Sequence, residues 1–145
     1  MFRGRQNIIT TRSEDGSLSL FFALTTLAVL MVMGLLVDGG GALNTSNRAE
    51  SLAQEAARTA GQQLNAADAI EGRDIAIDPD AAQLAAQDYL AANNVVGDVE
   101  IIDNGRTMRV TVHATYATSF AQLVGVNTMV MTGTATAHLQ TQAGG

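Results

Sequence analysis

Between Leu18 and Val37 the chain runs for twenty positions without one ionisable side chain. At 1.5 Å per residue a helix of that length is about 30 Å long, roughly the hydrocarbon thickness of a bilayer. A chain of 145 residues has too little mass to surround such a helix on every side, so the run is read as a membrane-spanning segment rather than as the core helix of a water-soluble domain. Ser19, Thr25 and Thr26 are tolerable there because their hydroxyls can bond back to the helix backbone. Gly34 stands alone in the run, so it forms no GxxxG pair.

The flanks orient the segment. Arg3, Arg5 and Arg12 lie within about 15 residues before it, and the first basic residue after it is Arg48. The N-terminus is therefore expected in the cytoplasm and Asp38 onward outside. Residues 38–145 carry twelve acidic against five basic side chains, a net charge of −7. An acidic outer portion has no electrostatic attraction to nucleic acid or anionic lipid. A cleaved secretory signal is the competing interpretation of the run. Its length exceeds the usual h-region of about 7–15 residues, which favours a retained anchor, although Val37-Asp38-Gly39 does end in a small residue.

Gly39, Gly40 and Gly41 follow directly, and three glycines weaken a helix by about 1 kcal/mol each relative to alanine. They are read as a flexible joint at the membrane surface in preference to a site of close helix packing. The helical pattern then returns from Ala42 to about Asn65. Leu43, Ala49, Leu52, Ala53, Ala56, Ala57, Ala60 and Leu64 recur mostly at spacings of three and four and make one small-residue stripe. Ala49, Leu52, Ala53, Ala56 and Ala60 form its packing face. That face suits either the chain's own domain or the helix of another subunit, and the pattern does not choose between them.

A short break spans 66–73, and 74–78 alternates like a brief strand. Asp78-Pro79-Asp80 then starts a helix with an aspartate N-cap, proline in the first turn and acid near the positive end of the dipole. It is expected to run to about Ala92 and to end at Asn93 and Asn94. Strands are expected at Val99–Ile102, Thr107–Ala117 and Thr128–Leu139. The Asn104-Gly105 pair favours a tight hairpin between the first two, and Ser119–Val124 reads as a short helical connection ending at Gly125. The fold class is α+β: a single N-terminal transmembrane helix continuing into a helical stalk, then a small domain with one helix and an antiparallel sheet. The expected segments are a basic tail (1–17), the membrane helix (18–37), the stalk (38–65) and the extracytoplasmic domain (74–140). Without cysteine no disulfide can brace so small a domain, and packing on the stalk or on other subunits is the expected source of stability.

Chemistry is sparse. His113 and His138 fall on polar strand faces with no third metal ligand at a telling spacing. Asp78 and Asp80 are explained by the helix start and Asp88 by a solvated helix face. There is no GxSxG, HExxH, P-loop or dinucleotide fingerprint. Two tyrosines and four phenylalanines provide no stacking platform for single strands. No cofactor, metal or nucleic-acid partner is expected, and an enzyme is the least favoured class.

One order of elements is familiar. A basic tail precedes Gly16-Ser17-Leu18-Ser19-Leu20-Phe21-Phe22, the apolar helix ends in Val37-Asp38-Gly39-Gly40, and a helix with Asn47-Arg48-Ala49-Glu50 and Glu55-Ala56-Ala57-Arg58 follows. Over about residues 12–65 this resembles the TadE/TadG-like proteins of tight-adherence (Flp-type) pilus systems. The resemblance implies a non-enzymatic, pseudopilin-like or accessory component of pilus assembly or secretion. Its partners would be the membrane, the pilus or secretion machinery, and other copies by self-association. It also marks Gly16-Ser17 as the position matching prepilin-type cleavage, with Phe21 where many pilin-type substrates carry glutamate. A membrane-tethered binding module that uses the threonine-rich sheet face is the alternative.

Overall fold

The computed structural model describes residues 14–63 and 77–139. Helix α1, Glu14–Ala60, is 47 residues and about 70 Å long. Its N-terminal half is exposed and apolar, one segment long and apolar enough to cross a membrane. Helix α2 is Pro79–Ala92. Strands β1 (Val96–Ile102), β2 (Thr107–Ala117) and β3 (Thr128–His138) form an antiparallel sheet in the order β1-β2-β3. Among the described residues the architecture is the expected α+β arrangement. Most of the basic tail (1–13), the end of the stalk (64–65), the break at 66–73, most of the 74–78 segment and residues 140–145 lie outside the described residues.

No joint interrupts α1: the helix continues unbroken through Gly39, Gly40 and Gly41. The three glycines are not equivalent. A methyl group on Gly39 or Gly40 would meet nothing, whereas one on Gly41 would run into the Tyr116 ring. Helix-forming flanks and a side chain seated on Gly41 therefore outweigh the local weakness of the triplet. Gly40→Ala should stabilise the full chain in detergent by about 0.5–1 kcal/mol. A denaturant titration showing destabilisation instead would mean that the helix bends there.

The register explains the core. In successive rows Gly97 pairs with Val112 and Val112 with Gly133; Val99 with Val110 and Val110 with Ala135; Ile101 with Met108 and Met108 with Ala137. These residues share one face, and the C-terminal half of α1 and α2 cover it. Met108, Val110, Val112 and Leu139 are fully buried, as are Ala49, Ala53, Ala56 and Ala60 on α1 and Ala82 and Ala86 on α2. Alanine buries little area but lets α1 lie close over β3. At Gly133 the contact is backbone to side-chain-free backbone, because a Cβ there would overlap the main chain of Ala49 and Glu50. Burying each large aliphatic side chain contributes about 1.5–3 kcal/mol, and the sheet obtains this beneath α1 and α2 together. The half-helix expected as a stalk is thus half of the domain's core.

Local signals are realised with small adjustments. Asp78 caps α2, its Oδ1 accepting from the Asp80 N–H at 3.0 Å and the Ala81 N–H at 3.2 Å. Strand β1 starts three residues earlier than its apolar core suggests. The β1–β2 connection uses four residues, 103–106, rather than a two-residue turn. Asp103, Asn104 and Gly105 all adopt positive φ there (53°, 53° and 85°), conformations that Asn and Gly accept at least cost. The sheet's second face stays open. It displays Asp98, Glu100, Arg109, His113, Thr132, Thr134 and Thr136.

Candidate functional site: the junction of the apolar helix and the β2–β3 hairpin

The β2–β3 hairpin runs down α1 toward its apolar half. Gly133 meets α1 at Ala49–Glu50, Tyr116 at Gly41, and Phe120 at Gly34. Positions 34, 38 and 41 share one helix face through their four- and three-residue spacings. Phe120 lies against Gly34 because a hydrogen is all that Gly34 places there; a Cβ would stand 2.8 Å from the ring's first carbon.

Between these two contacts sits Asp38, only 2 % exposed. Its carboxylate accepts hydrogen bonds from three consecutive backbone N–H groups: Ser119 at 2.6 Å, Phe120 at 2.9 Å and Ala121 at 2.6 Å. The Tyr116 hydroxyl donates a fourth at 3.3 Å. These amides open the 3₁₀ turn Ala121–Val124, whose own N-cap position is Phe120, a residue with no side-chain acceptor. A helical turn leaves its first N–H groups without partners, and Asp38 supplies the acceptor from about 80 residues away. Burial acts to raise the Asp38 pKa. The amides of Ser119, Ala121 and Phe120, with Tyr116, outweigh it and hold the carboxyl below its ordinary value of 3.8. The group is therefore an anion at neutral pH, satisfied by oriented donors rather than by a cation.

The far side of the loop closes on Thr118. Its backbone N–H donates to the Asn127 carbonyl at 3.0 Å, and its hydroxyl donates to the carbonyls of Val126 and Asn127. Gly125 ends the turn at φ 93°. The result is a compact loop tied to α1 at one point by charge and at two points by packing. These contacts hold the β2–β3 hairpin against α1.

The residues singled out from sequence fall as follows. Gly16 and Ser17 are exposed near the start of α1. In the packing stripe Ala49, Ala53, Ala56 and Ala60 are fully buried in the chain's own core, and Leu52 is half-buried at its border. His113 and His138 do lie on neighbouring strands, but His138 pairs with Thr107 and His113 with Thr132. Six residues of strand, about 20 Å, separate their positions, and His113 instead contacts Asp98 at 3.0 Å. Among the described residues no group of three potential ligands could hold a metal ion. In the sequence Asp38 reads only as the first charged residue after the apolar run. One signal could have exposed it: it is the only ionisable residue between Gly16 and Asn47, in a position where a charge without partners would be costly.

The structure defines a class of protein in which one helix long and apolar enough to cross a membrane continues into a small α+β domain. Within that class, residues 16–63, about a third of the chain, match the Tad family of TadE/G-like Flp pilus-assembly proteins. The match takes in the apolar run, all three α1 junction positions and the alanine stripe, and it ends before α2. Comparison with curated proteins and with solved structures found no match.

Proposed function

We propose that this protein is a membrane-anchored, non-enzymatic component of a Tad/Flp-type pilus assembly or secretion apparatus, pseudopilin-like or accessory in kind. The observation that carries the proposal is the family match over 16–63. Its match ends close to where α1 ends, so it covers the apolar helix together with the half that forms the domain's core. In this proposal Leu18–Val37 crosses the membrane with the N-terminus in the cytoplasm, held there by Arg3, Arg5 and Arg12. The acidic domain faces outward.

The junction suits such a role. A subunit that must be held in the bilayer and then docked or withdrawn by a machine has to transmit force between anchor and domain. A glycine hinge would dissipate that force. A continuous helix clamped through Gly34, Asp38 and Gly41 carries it as a single body. Gly16-Ser17, exposed at the start of α1, is where a prepilin-type peptidase would act. The domain's outer surface would contact machinery proteins or other copies.

Affinity purification of the tagged full chain from detergent-solubilised membranes, with mass spectrometry of co-purifying proteins and of the mature N-terminus, tests this. Recovery of a secretion ATPase or of polytopic platform proteins is expected. Recovery of none of the machinery, together with a monomeric domain that binds a small ligand, would favour the tethered binding module and its open threonine-rich face. A mature chain starting at Ser17 indicates prepilin-type processing, and one starting near Gly40 an ordinary signal peptide.

A further inference from the structure

The loop that Asp38 holds has an unusual outer surface. Phe120, Leu123, Val124 and Val126 are 46 %, 82 %, 66 % and 42 % exposed, within a few residues of one another. No Asp, Glu, Lys or Arg occurs anywhere from Val110 to the last residue. A loop in water would ordinarily carry polar side chains and leave its amides to the solvent. Here the exposed side chains are mostly apolar, and of the two exposed polar ones Gln122 donates from its Nε2 to the Ser119 carbonyl at 2.9 Å. The backbone N–H groups of Thr118, Ser119, Phe120, Ala121, Leu123, Gly125 and Val126 are all satisfied within the protein. Apolar side chains outside and satisfied backbone inside is the condition that lipid imposes on any irregular segment.

Position along the helix supplies the second, independent observation. Phe120 rests on Gly34, which lies inside the apolar run and about 6 Å before Asp38 along the helix axis. With Leu18–Val37 in the bilayer, Gly34 is at the level of the outer acyl-chain boundary. The loop that touches it is at that level too. Its exposed apolar surface is continuous with that of the helix, where Leu35, Leu36 and Val37 are exposed.

We propose that the loop from Ser119 to Val126 is a second membrane contact, seated in the headgroup and upper acyl region of the outer leaflet beside α1. Its occupant is the lipid surface. Leu123 and Val124 dip furthest, and Asp38 serves as the internal acceptor that allows the loop's amides to leave water. Two points of contact, helix and loop, fix the tilt of the domain over the bilayer, which one helix alone leaves free. This depends on the proposed membrane anchor, so the test reads anchor and loop separately.

The chain contains no tryptophan, so single tryptophans report position without background. The full chain carrying Leu123→Trp, Leu84→Trp or Phe22→Trp is reconstituted into phosphatidylcholine vesicles brominated near the headgroup end of the acyl chains. Phe22 lies in the apolar run, and Leu84 is an exposed leucine of α2. Leu123→Trp should emit at shorter wavelength than Leu84→Trp and lose at least about twofold more of its emission to the brominated lipid. If Phe22→Trp is quenched by lipid while Leu123→Trp matches Leu84→Trp in wavelength and in quenching by a water-soluble agent, the loop proposal is wrong and the anchor stands. A blue-shifted Leu123→Trp that ignores brominated lipid and shifts only as protein density rises identifies a second copy as the occupant, and also overturns it. Absence of lipid quenching at Phe22→Trp removes the anchor and the loop proposal together.

Discussion

Replacement of Gly133 by alanine should cost the domain about 3 kcal/mol, and replacement by valine more, the largest loss expected of any single methyl group added to this chain. The atoms that the new Cβ would overlap belong to the backbone of Ala49 and Glu50. No rotamer change can clear them, so helix or strand must move as a unit. Movement on either side reopens the contact of Ala53, Ala56, Ala57 and Ala60 with the sheet. Small side chains have no reach with which to refill such a gap, so the whole seam is lost together. With total stabilities of small domains at about 5–15 kcal/mol, that is a large share. Thermal unfolding of the full chain in detergent, followed by far-UV circular dichroism, measures it. The transition should fall by about 10 °C or more for a unit of this size, while Gly40→Ala rises slightly. A Gly133→Ala variant within about 0.5 kcal/mol of the parent would mean that α1 does not seat on β3 as described.

That seam also marks where sequence patterns stop being informative. Strands β2 and β3 and helix α2 were legible because their signals are local. Alternation along 107–117, the Asp78-Pro79-Asp80 start and the Asn93-Asn94 end each specify structure from neighbouring residues alone. The alanine stripe was legible as a packing face, but its choice of partner was not, since a small-residue face fits a helix and a sheet equally well. Gly133 is what decides it, through a register that pairs it with Val112. The glycine triplet misled for the same reason. Its intrinsic weakness is local, whereas the Tyr116 ring that occupies the space beside Gly41 arrives from 75 residues further along the chain. Asp38 is the extreme case. Its role is defined by backbone donors 81 to 83 positions away, and backbone donors have no sequence signature. The histidine pair fails on register: neighbouring strands do not make neighbouring residues.

Asp38→Asn should loosen the junction without unfolding the sheet, and its effect should depend on pH in a direction fixed by the carboxylate's surroundings. The amide retains one oxygen acceptor but turns an N–H₂ group toward amides that also donate. At least one of the Ser119, Phe120 and Ala121 N–H groups then faces a donor with water excluded, an arrangement less favourable than the anion it replaces. Hydrogen exchange at those amides should accelerate well beyond that at Val110 and Val112 in the core, and the thermal transition should drop by about 5 °C or more. The pH dependence follows from the lowered pKa. In the unfolded chain the carboxyl titrates near 3.8, and in the folded chain below it. The folded state therefore binds its proton less readily, and the stability contributed by the anion is fully present above pH of about 4. It is lost as pH falls through the folded value. The gap between parent and Asp38→Asn should thus stay constant from pH 8 to about 5 and narrow below about 4. A gap that instead widens on acidification would show that Asp38 titrates upward under the influence of burial, and that the three amides do not hold it. The same exchange measurement in vesicles separates clamp from membrane contact. If the clamp alone orders the loop, Asp38→Asn loosens it equally in detergent and in lipid; if lipid seats it as well, the vesicle sample retains part of the protection.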